Sequence, residues 1–264
     1  MHGKLIAAAS LLAVAAPALA ELREYCPDRP GIGTPSCIID RGHVSVELGL
    51  ADWTLDRSAA ARDDQMFFGD LLIRYGLGDS TEVQLGWTSF GRDVDRDRAT
   101  GIRTRANRAG DATVALRQNL RNPDGSAFSL SVMPFATLPV GRQPIGAGDW
   151  GAGLRVPVSY EIDDRFSVAL TPEIDAAVDE DGDGRHLAYG AVAGLATKIS
   201  AALSATLEYQ LAEDRDPAGH ATQQLAGLSL GWQPRDDLQL DLGANAGVRH
   251  GPDVELYVGV SRRF

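Results

Sequence analysis

From Val44 onward, apolar residues recur at every second position, interrupted at short intervals by Gly, Pro, Asn and Asp. Val44, Val46, Leu48 and Leu50 alternate with Ser45, Glu47, Gly49 and Ala51. Leu71, Ile73 and Tyr75, placed in phase with Phe67, oppose Asp70 and Arg74. Val83, Leu85 and Trp87 oppose Glu82, Gln84 and Thr88. The same rhythm returns through Leu203–Leu211 and Leu238–Leu242, and again through Val254–Phe264, where Phe264 falls on the apolar face. A period of two belongs to strands whose faces meet unlike environments. The pattern predicts twelve segments of about ten residues, the length a tilted membrane strand requires.

The connections alternate in size. Those near 76–80, 121–125, 161–165, 198–201 and 233–237 are short. Those near 53–64, 91–109, 139–149, 179–185, 212–220 and 247–253 are longer, and twelve strands put both ends of the domain on the short-turn side. That is the habit of outer-membrane barrels. Trp87, Trp150, Trp232, Tyr160, Phe166, Tyr189, Tyr209 and Phe264 sit toward strand ends on the apolar face, where interfacial aromatics collect. A soluble sandwich would also alternate, but its strands run about five or six residues and need large core side chains. Here the apolar face is long and padded with Ala. The fold class is therefore all-β, a closed antiparallel transmembrane barrel of twelve strands over residues 43–264. Pro134, Pro157 and Pro172 fall inside strand patterns, where bulges or early strand ends are expected.

Composition changes this picture in three ways. Residues 1–20 form a signal peptide, with Lys4, the apolar stretch Leu5–Ala16 and Ala18-Leu19-Ala20 as the cleavage pattern. Export places the protein in the bacterial cell outer membrane. Residues 21–42 form an irregular Pro- and Gly-rich leader on the periplasmic side. In an oxidising compartment its two cysteines, Cys26 and Cys37, form a disulfide. The leader either ties down near the barrel mouth or enters it as a plug. The net charge of −11 disfavours a nucleic-acid partner.

On the inward phase stand ten acids: Glu47, Asp70, Glu82, Asp111, Glu161, Glu173, Asp175, Glu208, Asp241 and Glu255. Four arginines face them, Arg74, Arg117, Arg155 and Arg263. Such groups must pair or stay hydrated. Four acid–arginine pairs would leave surplus acids lining water, favouring cations or neutral solutes over anions. Twelve strands fall between side-chain-filled small barrels and open porins, so the lumen should be narrow. A passive channel for small solutes follows, with a non-conducting structural or anchoring barrel as the alternative. No enzyme, catalytic residue or cofactor is expected, since H-E-x-x-H does not occur and the histidines after the signal peptide, His43, His186, His220 and His250, fall at strand ends or in loops. Nor is a metal. Asp179-x-Asp181-x-Asp183-Gly184 copies half of a calcium loop, but the closing acid would fall at Gly190, and a solvated acidic loop is the better reading. The arginines of 91–109 (Arg92, Arg96, Arg98, Arg103, Arg105 and Arg108) either meet lipopolysaccharide phosphates or form a mobile charged loop.

Several short motifs carry a resemblance: Cys26-Pro27-Asp28-Arg29-Pro30 with Cys37, Gly42-His43, Gly110-Asp111, Asp181–His186, Asp216-Pro217-Ala218 and Tyr257–Phe264. In these the chain resembles the family of outer-membrane transporters labelled after the meta-cleavage pathway of phenol degradation. The resemblance implies an uptake role for aromatic or other small hydrophobic compounds. The C-terminal strand ending at Phe264 resembles those read by the barrel assembly machinery. Membrane lipids, lipopolysaccharide and a small solute are the remaining partners expected.

Overall fold

A computed structural model describes residues 22–264, which hold strands and no helix. The signal peptide expected at 1–20 lies outside the described residues. The first strands are β1 (Val44–Arg57), β2 (Ala61–Gly76), β3 (Thr81–Asp97), β4 (Arg103–Arg108) and β5 (Ala112–Arg121). β6 (Phe128–Leu138), β7 (Gly151–Arg155), β8 (Val158–Glu161), β9 (Phe166–Val178) and β10 (Arg185–Lys198) follow. β11 (Leu203–Asp216), β12 (Gly219–Arg235), β13 (Leu238–Arg249) and β14 (Val254–Arg263) complete the chain. All pairings between these strands are antiparallel, and β14 returns to β1. β4 and β5 pair successive parts of β3, and β7 and β8 are halves of one strand between β6 and β9. With each such pair counted once, the sheet is a closed barrel of twelve strands. Val44 and Phe264 seal it by exchanging backbone hydrogen bonds of 3.2 and 2.8 Å.

Burial is inverted relative to a soluble domain. Glu47, Arg74, Glu82 and Arg117 have no exposed surface, while Leu85, Leu116, Leu207, Leu228, Leu242 and Val258 lie exposed on the outside. A continuous exposed apolar band on a sheet without free edges is the arrangement that a bilayer stabilises. Exposed Tyr75, Tyr160, Phe166, Trp232 and Phe264 fall toward the short-turn end. Trp87, Trp150 and Tyr189 fall toward the other.

Three features depart from the sequence pattern. The stretches 53–64, 91–109 and 212–220 are not loops. β1 and β2 pair out to Arg57–Arg62, β3 and β4 form a hairpin over Gly91–Arg108, and β11 and β12 pair to Asp216–Gly219. Beyond the bilayer neither face meets lipid, so charges occupy both faces while the backbone ladder continues. Periodicity is lost there, but pairing is not.

The inward phase also changes partway along β1–β3. Glu47, Arg74 and Glu82 are buried below, and Gln65 bonds buried Asp93 above at 3.2 Å. The β1 ladder shifts register between Gly49 and Ala51, and Gly69 takes a φ of 66°, a left-handed conformation that suits glycine. Phe68 and Phe90 are therefore the outward aromatics, 6.2 Å apart, and Phe67 leaves the apolar face assigned to it.

Only one of the three prolines breaks a strand. Pro157 lies in the gap between β7 and β8, whereas Pro134 and Pro172 sit within β6 and β9. Pro172 accepts from Val156 N at 3.0 Å, so the side on which it lacks an N–H faces that same gap.

Candidate functional site: a lumen occupied by the N-terminal segment

The short-turn half of the barrel is filled by residues 22–42. The segment runs inward from Arg23, whose guanidinium donates to Asp79 O in the β2–β3 turn at 2.7 Å. It turns back around Pro30–Thr34 and leaves beside Gly76, where a Cβ would collide with the Asp40 carbonyl. The Cys26–Cys37 disulfide ties its two limbs together.

The wall meets this segment with charge. Arg74 lies 3.1 Å from Glu47, 3.0 Å from Glu82 and 3.0 Å from Asp28 of the segment. Arg117 pairs with Asp28 through both nitrogens and stands 3.3 Å from Glu82. The segment's backbone supplies further partners, though Arg117 Nε has none. Glu47 accepts from Asp28 N and Arg29 N at 3.1 and 2.9 Å, and Glu82 from Ile39 N at 2.7 Å. Arg74 and Arg117 donate to Cys26 O and Cys37 O at 2.8 and 3.0 Å. Irregular backbone at membrane depth is stable only when its polar groups find such partners. Every charge in this cluster has an opposite charge in contact, which is what makes its burial tolerable.

The other predicted residues fall around this cluster. Glu208 accepts from Ile32 N and Gly33 N at 2.7 and 2.9 Å, and Asp241 pairs with Arg29 at 2.9 Å. Arg263 donates to Arg23 O at 2.7 Å and lies 3.3 Å from Asp40. Arg155 pairs with Glu173 at 2.7 Å and lies over the Phe135 ring, with Asp175 beside Glu173. Asp70 accepts from Thr88 at 2.8 Å, and Glu255 accepts from Asn245 at 3.0 Å. Asp111 holds the 139–149 loop through Gly141 N and Ala147 N at 2.8 and 2.7 Å. Glu161 reaches Ala127 N at the short-turn rim.

This corrects the charge balance read from the inward phase. Arg74, Arg117 and Arg155 pair with wall acids, but Arg74 and Arg117 share theirs with Asp28 of the N-terminal segment, and Arg263 turns to Asp40 of that segment. Glu47, Glu208 and Asp241 are not surplus acids lining water, since that segment engages them. The acids left over cluster in the outer half, where Asp52 lies against Glu255 and Asp63 against Asp93. Asp28, Arg29, Ser36 and Asp40 were missed as site residues. Nothing in a two-residue period gives the side chains of an irregular segment a role; its Pro and Gly content, its two cysteines and the Cys26–Pro30 motif marked the segment but not those contacts.

The filling is one-sided. Between the segment and the inward faces of β9–β11 lies a cavity of about 320 Å³, bordered by Ser167, Thr171, Val192, Thr206 and Glu208. Farther out, the acids of the 179–184 loop do not converge as half of a calcium loop. Asp179 turns to His186 at 2.9 Å and Asp181 caps Asp183 N at 2.9 Å. Asp179, His186 and Asp216 have ligand-type atoms within 4.8 Å of one another.

No curated protein matches the chain. The NanC porin shares 10% identity over 83% of this chain and 98% of its own, with a TM-score of 0.51. The KdgM porin in complex with disordered oligogalacturonate shares 13% over 83% and 99%, with a TM-score of 0.52. The translocator domain of autotransporter NalP from Neisseria meningitidis shares 13% over 84% and 88%, with a TM-score of 0.50. Porins and translocators alike are similar to this chain, so the likeness establishes the fold and leaves the traffic to the interior. The protein is thus an outer-membrane barrel with lipid around its apolar band. A family model described as "Putative MetA-pathway of phenol degradation" matches residues 27–255, a span that includes most of the lumenal segment as well as the barrel, and the chain belongs to that family.

Proposed function

We propose that this protein is a passive channel for small uncharged solutes, with single-ring aromatic compounds the class its family description suggests. In this reading residues 43–264 are the barrel, and 21–42 are a leader docked into it from the periplasmic side. The observation that carries the proposal is the one-sided filling of the lumen, which leaves a space of about 320 Å³. An apolar cavity of about 150 Å³ already holds benzene, so a phenol-sized molecule has room. The leftover acids of the outer half, among them Asp52, Glu255, Asp63 and Asp93, repel anions. That favours a phenol over a carboxylated ring.

The rival is a non-conducting anchoring barrel. It is favoured by the density of buried ion pairs between leader and wall. Planar-bilayer recording in KCl separates the two, supplemented by swelling of liposomes in arabinose, a neutral solute that lipid excludes. A channel gives cation-selective current that phenol interrupts and benzoate does not, and Asp175→Asn lowers its selectivity. A silent bilayer with no swelling supports the anchoring barrel.

Two partners complete the proposal. The arginines of the β3–β4 hairpin, such as Arg96, Arg103 and Arg105, would meet lipopolysaccharide phosphates, for which guanidinium geometry is suited. β14 and Phe264 would engage the barrel assembly machinery.

A further inference from the structure

The cavity between leader and wall has a continuation. A second space of about 170 Å³ lies farther out on β9, β10 and β11, near Glu173, Asp175 and Gln210. Both spaces are bordered by Thr171 and Val192, so they end at one constriction. The leader closes it from the other side. Thr34 N donates to Thr171 Oγ1 at 3.1 Å, and the same hydroxyl donates back to Thr34 O at 2.9 Å. Below them Glu208 grips Ile32 N and Gly33 N. Gly33 passes so near the wall that a Cβ there would stand 3.4 Å from Val192.

Among the described residues, the opposite side of the lumen is tightly filled. Arg74, Arg117, Glu47 and Glu82 are wholly buried against the limbs of the leader. We infer that solutes cross this barrel off its axis, along the β9–β11 wall, and that residues 31–34 are the latch of that route. The inference rests on the channel reading above.

The physical argument is a difference in attachment. The limbs are held by buried guanidinium–carboxylate contacts and tied by the disulfide, whereas the tip is held at the constriction by one shared threonine hydroxyl and one carboxylate. Local opening draws on the least-tethered element first. Moving residues 31–34 away from Thr171 and Val192 joins the two spaces without disturbing Asp28, Arg74 or Arg117. The resulting slot carries hydroxyls from Ser167, Thr171 and Thr206 beside the apolar Val192. That lining accepts a ring bearing one hydroxyl, and Glu208 bars an anion.

Single-channel recording in KCl on the full-length mature protein tests this. Thr171→Val removes both bonds to Thr34 and is expected to raise open probability several-fold. Val192→Trp fills the constriction and is expected to lower conductance at least tenfold, with heat-modifiable migration unchanged. If the indole prevents folding, a Gly33→Cys/Val192→Cys pair replaces it. Oxidation should then silence the channel and reduction restore it, with the wild type carried through the same cycle as the control for Cys26–Cys37. A silent wild type overturns the channel reading itself. A conducting wild type whose current is unchanged in Val192→Trp, or in the oxidised pair, overturns the route while leaving the channel standing.

Discussion

Asp28→Asn is the sharpest test of how the leader is held. Asp28 lies between two buried guanidiniums, 3.0 Å from Arg74 Nη1 and 2.9 Å from Arg117 Nη1. Asparagine keeps the shape but removes the charge, and it turns an N–H toward donors that need an acceptor. Breaking one partner of a buried ion pair costs roughly 3–5 kcal/mol. The acids that remain move this case to the low end, while solvation of the undocked residue decides where the loss falls. Arg74 keeps Glu47 and Glu82, and Arg117 keeps Glu82 at 3.3 Å. Undocking also leaves Asp28 solvated in the wild type, so the loss falls on the docked state alone. About 3 kcal/mol corresponds to roughly a hundredfold larger undocked population, at about 1.4 kcal/mol per factor of ten. Hydrogen exchange followed by mass spectrometry reads this directly, because the amides of residue 28, Arg29 and Ile39 are protected by Glu47 and Glu82 of the wall. Exchange in peptides covering residues 26–39 should accelerate by about that factor while the strands stay protected. Protection within threefold of wild type would refute the ion cluster as the leader's anchor.

Replacing Cys26 and Cys37 together by Ser opens an 11-residue separation. It should loosen the docked leader by about 2–3 kcal/mol, the loop-entropy scale for a short ring, visible as faster leader proteolysis; an unchanged cleavage rate would contradict it. Asp111→Ala removes the acceptor of Gly141 N and Ala147 N, so the 139–149 loop should be cut several-fold faster by protease added from outside, and equal cutting would place its anchor elsewhere. In the β8–β9 turn, backbone N–H groups of Arg165 and Phe166 hold the Asp163 carboxyl below the usual carboxylate value. A depressed value means its stabilisation is present above the unfolded pKa and is lost as pH falls through the folded one. The difference in urea resistance between wild type and Asp163→Ala should therefore be full at neutral pH and vanish in acid; a difference independent of pH would count against it.

What the amino-acid order decides alone is the side of the sheet on which each residue lies. The two-residue period is a local property of an extended chain, and a bilayer outside with polar groups inside writes it directly into the residues. Strand number and closure were legible for that reason. The period fails wherever the two faces stop differing, and so the hairpins around Arg57, Asp97 and Asp216 read as loops. It also fails where a bulge resets the phase, as at Leu50 and Gly69. The partners that the N-terminal segment brings to the inward charges were not legible at all. Asp28 meets Arg117 across 89 residues and Arg29 meets Asp241 across 212. No spacing rule reaches that far, because those contacts exist only once the closed barrel has brought distant strands around one segment. The tertiary structure alone decided that the acids serve first to hold the leader, and that it fills one side of the lumen and leaves β9–β11 open.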